Sequence, residues 1–319
     1  MKGPSGLISI GTNSTRLLVI DGAEKTLSAE SRGTRLGTGL QQTGRLDPAA
    51  RERTLAAIAD YMLAVREHRA RIACIATSAM RRAADGADFT AAVRELTGVA
   101  PHILSGDEEA TFSFLGATHA GGGDELVAVL DVGGGSTELA VDVPSVAQRH
   151  GAVAYAHSVE VGAVRLAERH PALLGEGALG PAERVRVLAA ARADAASILA
   201  PLSAAPLPVQ LIVVGGTAFT AAAMVAAAPL RDGVTMNPFE RAALLDDLLA
   251  RDLEGRKAMP FMRPQRADIL PAGLAIIDEA CRILGVPNVR VSVDDLLAGY
   301  LASPAYAERA RAADIKNPA

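Results

Sequence analysis

The chain contains no tryptophan and few aromatics of any kind, 3% in all. Binding single-stranded nucleic acid by stacking needs several exposed rings, so that class is excluded on composition. Cysteine is equally scarce. Only Cys74 and Cys281 are present, each beside apolar neighbours, a pattern of buried thiols in a reducing compartment and not of a disulfide or metal framework. Positive charge is not in excess either. With a net charge of -4 the chain lacks the basic footprint of a duplex DNA binder, so an anionic partner must be met by local groups. A secretory signal is also lacking, because Leu7-Ile8-Ser9-Ile10 is interrupted at once by Gly11-Thr12-Asn13-Ser14; the expected location is cytoplasmic, with no nucleic-acid or membrane partner. The one long uncharged run, Leu211 to Leu230, is cut by Gly215-Gly216-Thr217 into a β-branched strand and an alanine-rich helix, which argues against a membrane span.

What is present describes a folded α/β protein. The 319 residues are 50% hydrophobic and 21% charged, enough for a core and long enough for two domains. Strands are expected at Leu7 to Ile10 and Arg16 to Ile20, joined as a hairpin, and at Arg71 to Ala76. A helix opens at Asp47-Pro48, with Leu55, Ile58, Met62 and Val65 at helical spacing, and another covers Phe89 to Leu96 before Gly98. Ser105-Gly106-Asp107-Glu108 has capping-box spacing, placing Glu108 and Glu109 in the first turn of a helix that runs to about Gly116. Gly121-Gly122-Gly123 then breaks the pattern before a strand at Leu126 to Leu130, giving expected domains of 1–124 and 125–319. After Ser303 the tail is polar and reads as a frayed or helical end.

The most informative feature is an internal repeat. Ser9-Ile10-Gly11-Thr12-Asn13-Ser14-Thr15-Arg16-Leu17 lies over Asp131-Val132-Gly133-Gly134-Gly135-Ser136-Thr137-Glu138-Leu139. So long a period indicates a duplicated domain and not a solenoid. Each copy reads as strand, small-residue turn, strand, and such a turn aims several backbone N–H groups and a hydroxyl at one point, as phosphate binding requires. An acid at the strand end, Asp131, suits a Mg²⁺ ion held partly through water. Gly215-Gly216-Thr217, after another β-branched strand, extends the pattern.

These residues resemble the exopolyphosphatase and guanosine pentaphosphate phosphatase family, in its short two-domain form. Besides Asp131 to Glu138, the blocks Arg32-Gly33-Thr34-Arg35-Leu36-Gly37, Ala76-Thr77-Ser78-Ala79-Met80-Arg81, Ser105 to Ala110, Val161-Gly162-Ala163-Val164-Arg165-Leu166, Val214 to Thr217 and Arg266 to Gly273 are similar to family blocks in family order. The resemblance implies duplicated actin-like ATPase domains, of the acetate kinase, sugar kinase, Hsp70 and actin superfamily, flanking a cleft. It implies hydrolysis of terminal phosphoanhydrides of polyphosphate or guanosine pentaphosphate, with guanosine tetraphosphate as a further partner, with Mg²⁺ or Mn²⁺, in a homodimer. Glu109 corresponds to the family's catalytic carboxylate, Asp131 to its metal-binding aspartate, and Glu138 to a second carboxylate orienting metal or water. Thr12, Asn13, Ser14, Gly133, Gly134, Gly135, Ser136, Gly215, Gly216 and Thr217 correspond to phosphate-binding positions. Arg32, Arg81, Arg165 and Arg266 are candidates for the basic lining, each equally suited to an ordinary ion pair.

The sequence departs from the family pattern at three places. Ser9 stands where the first phosphate motif opens with Asp, so Mg²⁺ is expected to bind weakly without substrate. Asp295-Leu296-Leu297 replaces a Gly-Leu-Arg stretch, losing an arginine at Leu297, and Asp232-Gly233 stands where His-Gly is more usual. These changes leave open a module that binds or senses phosphate chains with weakened turnover. A kinase of the same superfamily fits less well, because the Glu109 block belongs to the phosphatases.

Overall fold

The computed structural model describes residues 3–119 and 123–312. The chain forms two compact units, Met1–Ser105 with Tyr300–Ala319, and Gly106–Gly299.

The first unit starts with β1 (Ser5–Ile10), β2 (Thr15–Ile20) and β3 (Thr26–Arg32), an antiparallel meander, and β4 (Arg71–Ala76) then lies parallel to β1. The short β5 (His102–Ile103) pairs with β4. The helices Pro48–Glu67 and Gly86–Thr97 pack on this sheet through Ile58, Tyr61, Met62, Val65, Phe89 and Val93. Asp47 caps the first helix as its spacing predicts, accepting from Ala50 N–H at 2.8 Å, and Gly98 ends the second in the left-handed conformation.

The second unit repeats the plan. β6 (Val127–Val132), β7 (Thr137–Asp142) and β8 (Tyr155–Val159) form the meander, and β9 (Gln210–Val214) lies parallel to β6; β10 (Thr235–Met236) and β11 (Val289–Val291) complete the order β10-β11-β9-β6-β7-β8. Because side chains alternate along a strand, the sheet has two distinct faces. Ala128, Leu130, Val132, Leu139 and Val141 pack on the large core beneath the helices Gly215–Val225 and Leu270–Leu284. Val127, Val129, Ala140, Ile212 and Val214 face Ala110 and Phe114 of the helix Gly106–Ala117.

The repeat read from sequence is a structural repeat. Ser9 pairs with Arg16 across β1 and β2, as Asp131 pairs with Glu138 across β6 and β7. Gly11 N–H donates to Ser14 O at 3.0 Å, and Gly133 N–H donates to Ser136 O at 3.0 Å. In both units the chain leaving the third strand returns against the turn. Gly37 N–H donates to Thr12 O and Val164 N–H to Gly134 O, each at 2.9 Å. A Cβ at Gly37 would lie 2.3 Å from Thr12, and one at Gly162 would lie 2.5 Å from the Gly134 carbonyl carbon, so both close approaches require glycine.

The domain boundary differs from the expected 124/125. The helix Gly106–Ala117 belongs to the second unit because its apolar face is completed by β6, β7 and β9. The C-terminal segment returns to the first: the tail forms the helix Pro304–Arg309 and then β12 (Arg311–Ala312), antiparallel to β4, while Tyr306 Oη donates to Arg71 O at 2.8 Å. Of the Gly121-Gly122-Gly123 break, Gly121 and Gly122 lie outside the described residues. Leu211 to Leu230 resolves into β9 and the buried helix Gly215–Val225. A different segment, Pro181–Ala204, is long and apolar enough by length and composition alone to cross a membrane; it buries Ala191, Ala195 and Leu199 in the core. Both cysteines are buried, and burial pushes the Cys74 thiol up to about 12 and the Cys281 thiol up to about 11, so neither is a thiolate at neutral pH.

One buried acid ties the first unit together. Asp85, 5% exposed, accepts from Leu46 N–H at 3.0 Å and from Arg51 Nη1 at 3.1 Å, and the Arg51 guanidinium lies 5.5 Å from the centre of the Phe89 ring. Burial opposes its ionisation, but the Leu46 amide and the nearby Arg45 and Arg51 outweigh it and hold the carboxyl below the usual range. A lowered folded-state value means that the unfolded chain binds the proton more readily. The contribution to stability is therefore complete above the ordinary Asp value of about 3.9 and is lost as pH falls through the lower, folded value. Asp85→Asn is expected to cost about 1–3 kcal/mol at pH 7. Thermal melts should show the gap to wild type narrowing below about pH 4.

Candidate active site

The acidic residues singled out from sequence come together on the second sheet, on the face covered by the helix Gly106–Ala117. Asp131 and Glu138 are direct cross-strand partners, and Glu138 is in turn opposite Ser158 on β8. The three form one row at a single level of the sheet, with Val214 of β9 on the other side of Asp131. Direct cross-strand neighbours have Cβ atoms about 5 Å apart, so the two carboxylates are close by construction. Ser158 Oγ donates to Glu138 Oε1 at 2.7 Å, and Ser113 Oγ donates to Asp131 Oδ2 at 2.9 Å.

The helix crosses this row. Gly106 is pressed on Ser158, where an added Cβ would come within 2.2 Å of the serine side chain, and seven residues later Ser113 reaches Asp131. Seven residues of helix rise about 10 Å, the distance across two strand spacings. Glu109, 6% exposed, lies between them, one turn before Ser113 on the same helix face. The helix thus brings a third, buried carboxylate to the level of the pair.

Two loops border the acids. In Gly133-Gly134-Gly135-Ser136 the carbonyls are held from behind: Ala163 N–H donates to Gly133 O and Val164 N–H to Gly134 O, each at 2.9 Å. The second loop is the start of the helix Gly215–Val225, which has no side-chain cap. Its first amides are therefore donors of the kind that bind anions. Gly215 has φ +84°, and a Cβ there would lie 2.5 Å from Asp131 Oδ1. The Arg266 guanidinium rests directly on the Cα of Gly216, occupying the space of the missing side chain. Thr217 is 1% exposed, and its hydroxyl is buried without a hydrogen-bond partner.

The remaining expected residues have the following surroundings within their own units. Thr12, Asn13 and Ser14 form the buried turn of the first unit, where Asn13 Nδ2 donates to Ser14 Oγ at 3.2 Å and Asn13 Oδ1 is buried without a partner. Arg32 ends β3, pairs with Asp60 and Glu30, and lies 5.3 Å over the Tyr61 ring. Arg81 Nη1 donates to Leu104 O at 2.6 Å. Arg165 pairs with Glu160 and donates to its carbonyl oxygen.

A family model covering residues 19–303 matches the chain as Ppx/GppA phosphatase. The chain belongs to the Ppx/GppA phosphatase family. "Exopolyphosphatase 2" of Mycobacterium tuberculosis is similar at 33% identity over 93% of this chain and 97% of that protein. Solved family structures share the fold. An exopolyphosphatase from Cytophaga hutchinsonii matches with TM-score 0.81 at 23% identity over 93% of this chain and 96% of its own. The Aquifex aeolicus PPX-GPPA enzyme matches with TM-score 0.74 at 23% identity over 94% and 98%. The duplicated α/β architecture expected from sequence is therefore the fold of this chain, shared with the solved Ppx/GppA structures.

Within the Ppx/GppA framework the three departures have structural accounts. Ser9 and Arg16 occupy the cross-strand positions that Asp131 and Glu138 hold in the second unit, so one turn carries two acids and the other a hydroxyl and a guanidinium. Asp295 takes over a structural task, its Oδ1 accepting from Leu297 N–H at 3.0 Å at the start of the helix Leu296–Ala302. Asp232 pairs with Arg290 and accepts from Val293 N–H, fastening the approach to β10.

Sequence reasoning missed Ser113 and Ser158. Ser113 was within reach, since it lies four residues after Glu109 on the same helix face, whereas Ser158 emerges only from the β7–β8 register. The glycines give a direct test. A Cβ at Gly216 meets the mobile end of Arg266, but one at Gly215 meets a fixed carboxylate and also a left-handed backbone. Gly216→Ala should fold with near-wild-type thermal stability and, with Arg266→Ala beside it, should show weakened phosphate-chain binding, whereas Gly215→Ala should lose both stability and activity. Equal loss of stability in the two variants would contradict this reading of the loop.

Proposed function

We propose that the protein hydrolyses the terminal phosphoanhydride of inorganic polyphosphate, with guanosine pentaphosphate as a substrate of the same chemistry. The observation that carries this reading is the row Asp131, Glu138, Ser158 crossed by the helix that carries Glu109. In the proposed step the oxygen of a water forms a bond to the terminal phosphorus while the bridging P–O bond breaks. The water proton passes to the Glu109 carboxylate, and the electron pair of the broken bond leaves with the shortened chain. The amides of Gly133, Gly134 and Gly135 and of the first turn at Gly215 and Gly216 hold the terminal phosphate, with Ser136 and Arg266 beside it. The turn Thr12, Asn13 and Ser14 of the first unit has the same backbone form, Gly11 N–H donating to Ser14 O as Gly133 N–H does to Ser136 O, and is a second phosphate-binding turn in this reading.

Asp131 and Glu138 fit a Mg²⁺ or Mn²⁺ ion, being hard oxygen donors on neighbouring strands. Among the described residues no three His, Cys, Asp or Glu side chains form a metal-binding group. Substrate oxygens and water would complete the coordination, in keeping with the loss of an acid at Ser9. When bound, the ion supplies Lewis-acid stabilisation of the charge on the phosphate.

The test is phosphate release from long polyphosphate, tripolyphosphate and guanosine pentaphosphate with Mg²⁺ or Mn²⁺ varied. Release from polyphosphate without any acceptor is expected. Tight binding of the chain with no release would favour the sensing alternative that Ser9 and Leu297 suggest. Glu109→Gln keeps the side-chain volume and removes the basic oxygen, so kcat should fall by about 10²-fold or more with KM little changed. Wild-type turnover in that variant would remove Glu109 from its role.

A further inference from the structure

We infer that Ser113 is a positioning residue for the cation site, the group that sets Asp131 and couples it to the helix carrying Glu109. The inference rests on the proposed role of Asp131 as a cation ligand. Its geometry is independent of that role. Ser113 is 1% exposed, and its hydroxyl donates to Asp131 Oδ2 at 2.9 Å. The other carboxylate oxygen, Oδ1, lies against the Cα of Gly215, where even a methyl group would be 2.5 Å away. Asp131 is thus held from two directions by two different elements, the third turn of the helix Gly106–Ala117 and the start of the helix Gly215–Val225.

A serine buried in a helix interior ordinarily bonds to the carbonyl four residues earlier. Thr118 does so in the next turn, donating to Phe114 O at 2.8 Å. Ser113 instead spends its proton on a carboxylate of the sheet. A hydrogen bond to one carboxylate oxygen fixes the torsion of the group and directs its other lone pairs, which is how groups behind a metal ligand raise affinity. Because Ser113 and Glu109 are four residues apart on one face, the same bond also fixes the distance between the proton acceptor and the cation ligand. Glu138 has a parallel arrangement, with Ser158 donating to Oε1 at 2.7 Å. That bond joins neighbouring strands of one sheet, whereas the Ser113 bond joins the helix to the sheet and adds a polar tie to the packing of Ala110 and Phe114.

The experiment compares wild type, Ser113→Ala, Ser113→Thr and Asp131→Asn in the full chain. Mn²⁺ binding is measured directly by electron paramagnetic resonance, and the Mg²⁺ concentration for half-maximal phosphate release is measured at saturating polyphosphate. Ser113→Ala is expected to weaken Mn²⁺ binding and to raise the half-saturating Mg²⁺ concentration by about 10-fold, the lower end for a group behind a metal ligand. The KM for polyphosphate at saturating Mg²⁺ should stay within about twofold of wild type, and the hydroxyl of Ser113→Thr should restore most of the Mn²⁺ affinity. A purely structural serine would lower thermal stability and move none of these metal-dependent readouts. Wild-type Mn²⁺ affinity in Ser113→Ala, with Asp131→Asn abolishing it, would overturn the positioning role and leave the cation site intact. Unchanged Mn²⁺ binding in Asp131→Asn, or none in wild type, would overturn the cation reading and this inference with it.

Discussion

The site depends on one packing constraint, the docking of the helix Gly106–Ala117 across β6, β7 and β8. Ala110 and Phe114 bury its apolar side against Val127, Val129, Ala140 and Ile212. That burial, at about 25 cal/mol for each Å² of apolar surface, fixes the helix over the row of polar residues at the ends of the strands. Gly106 permits contact with Ser158, and the rise of the helix then delivers Ser113 to Asp131. Glu109 comes to the acid pair as a consequence of where its helix starts and what it packs on. The geometry of the candidate site is therefore a product of the apolar core and not of the polar residues alone.

Duplication supplied the frame, and divergence assigned the chemistry. Both units present the same hairpin, the same Gly N–H to Ser carbonyl hydrogen bond across the turn and the same return of the chain against that turn. At equivalent positions one unit holds Asp131 and Glu138, and the other holds Ser9 and Arg16. An acid pair suits a cation; a hydroxyl beside a guanidinium suits phosphate oxygens directly. Identical backbone thus supports two electrostatic environments within one Ppx/GppA chain.

The fold was readable wherever a local rule governed it. Asp47-Pro48, Gly98 and the apolar runs of β1, β2 and β4 each mark an element without tertiary help, and the offset repeat disclosed both turns. The family blocks then singled out Glu109 and Asp131 as candidates. What was not readable depends on partners distant in sequence. The ion pair of Arg32 with Asp60 and its place over Tyr61 join residues about thirty positions apart and carry no local signal. The boundary at Ser105 follows from the face on which a helix packs, and the return of β12 to β4 carries no local signal in Arg311-Ala312. Ser158 gains meaning only from a strand register.

The central claim is that water held near Glu109 attacks a terminal phosphorus and that no acceptor is needed. The direct measurement is hydrolysis of polyphosphate in ¹⁸O-labelled water, with mass spectrometry of the products. The account predicts inorganic phosphate carrying one labelled oxygen, with chains that shorten from their ends. Phosphate without label, or phosphorus recovered on an added acceptor, would contradict it.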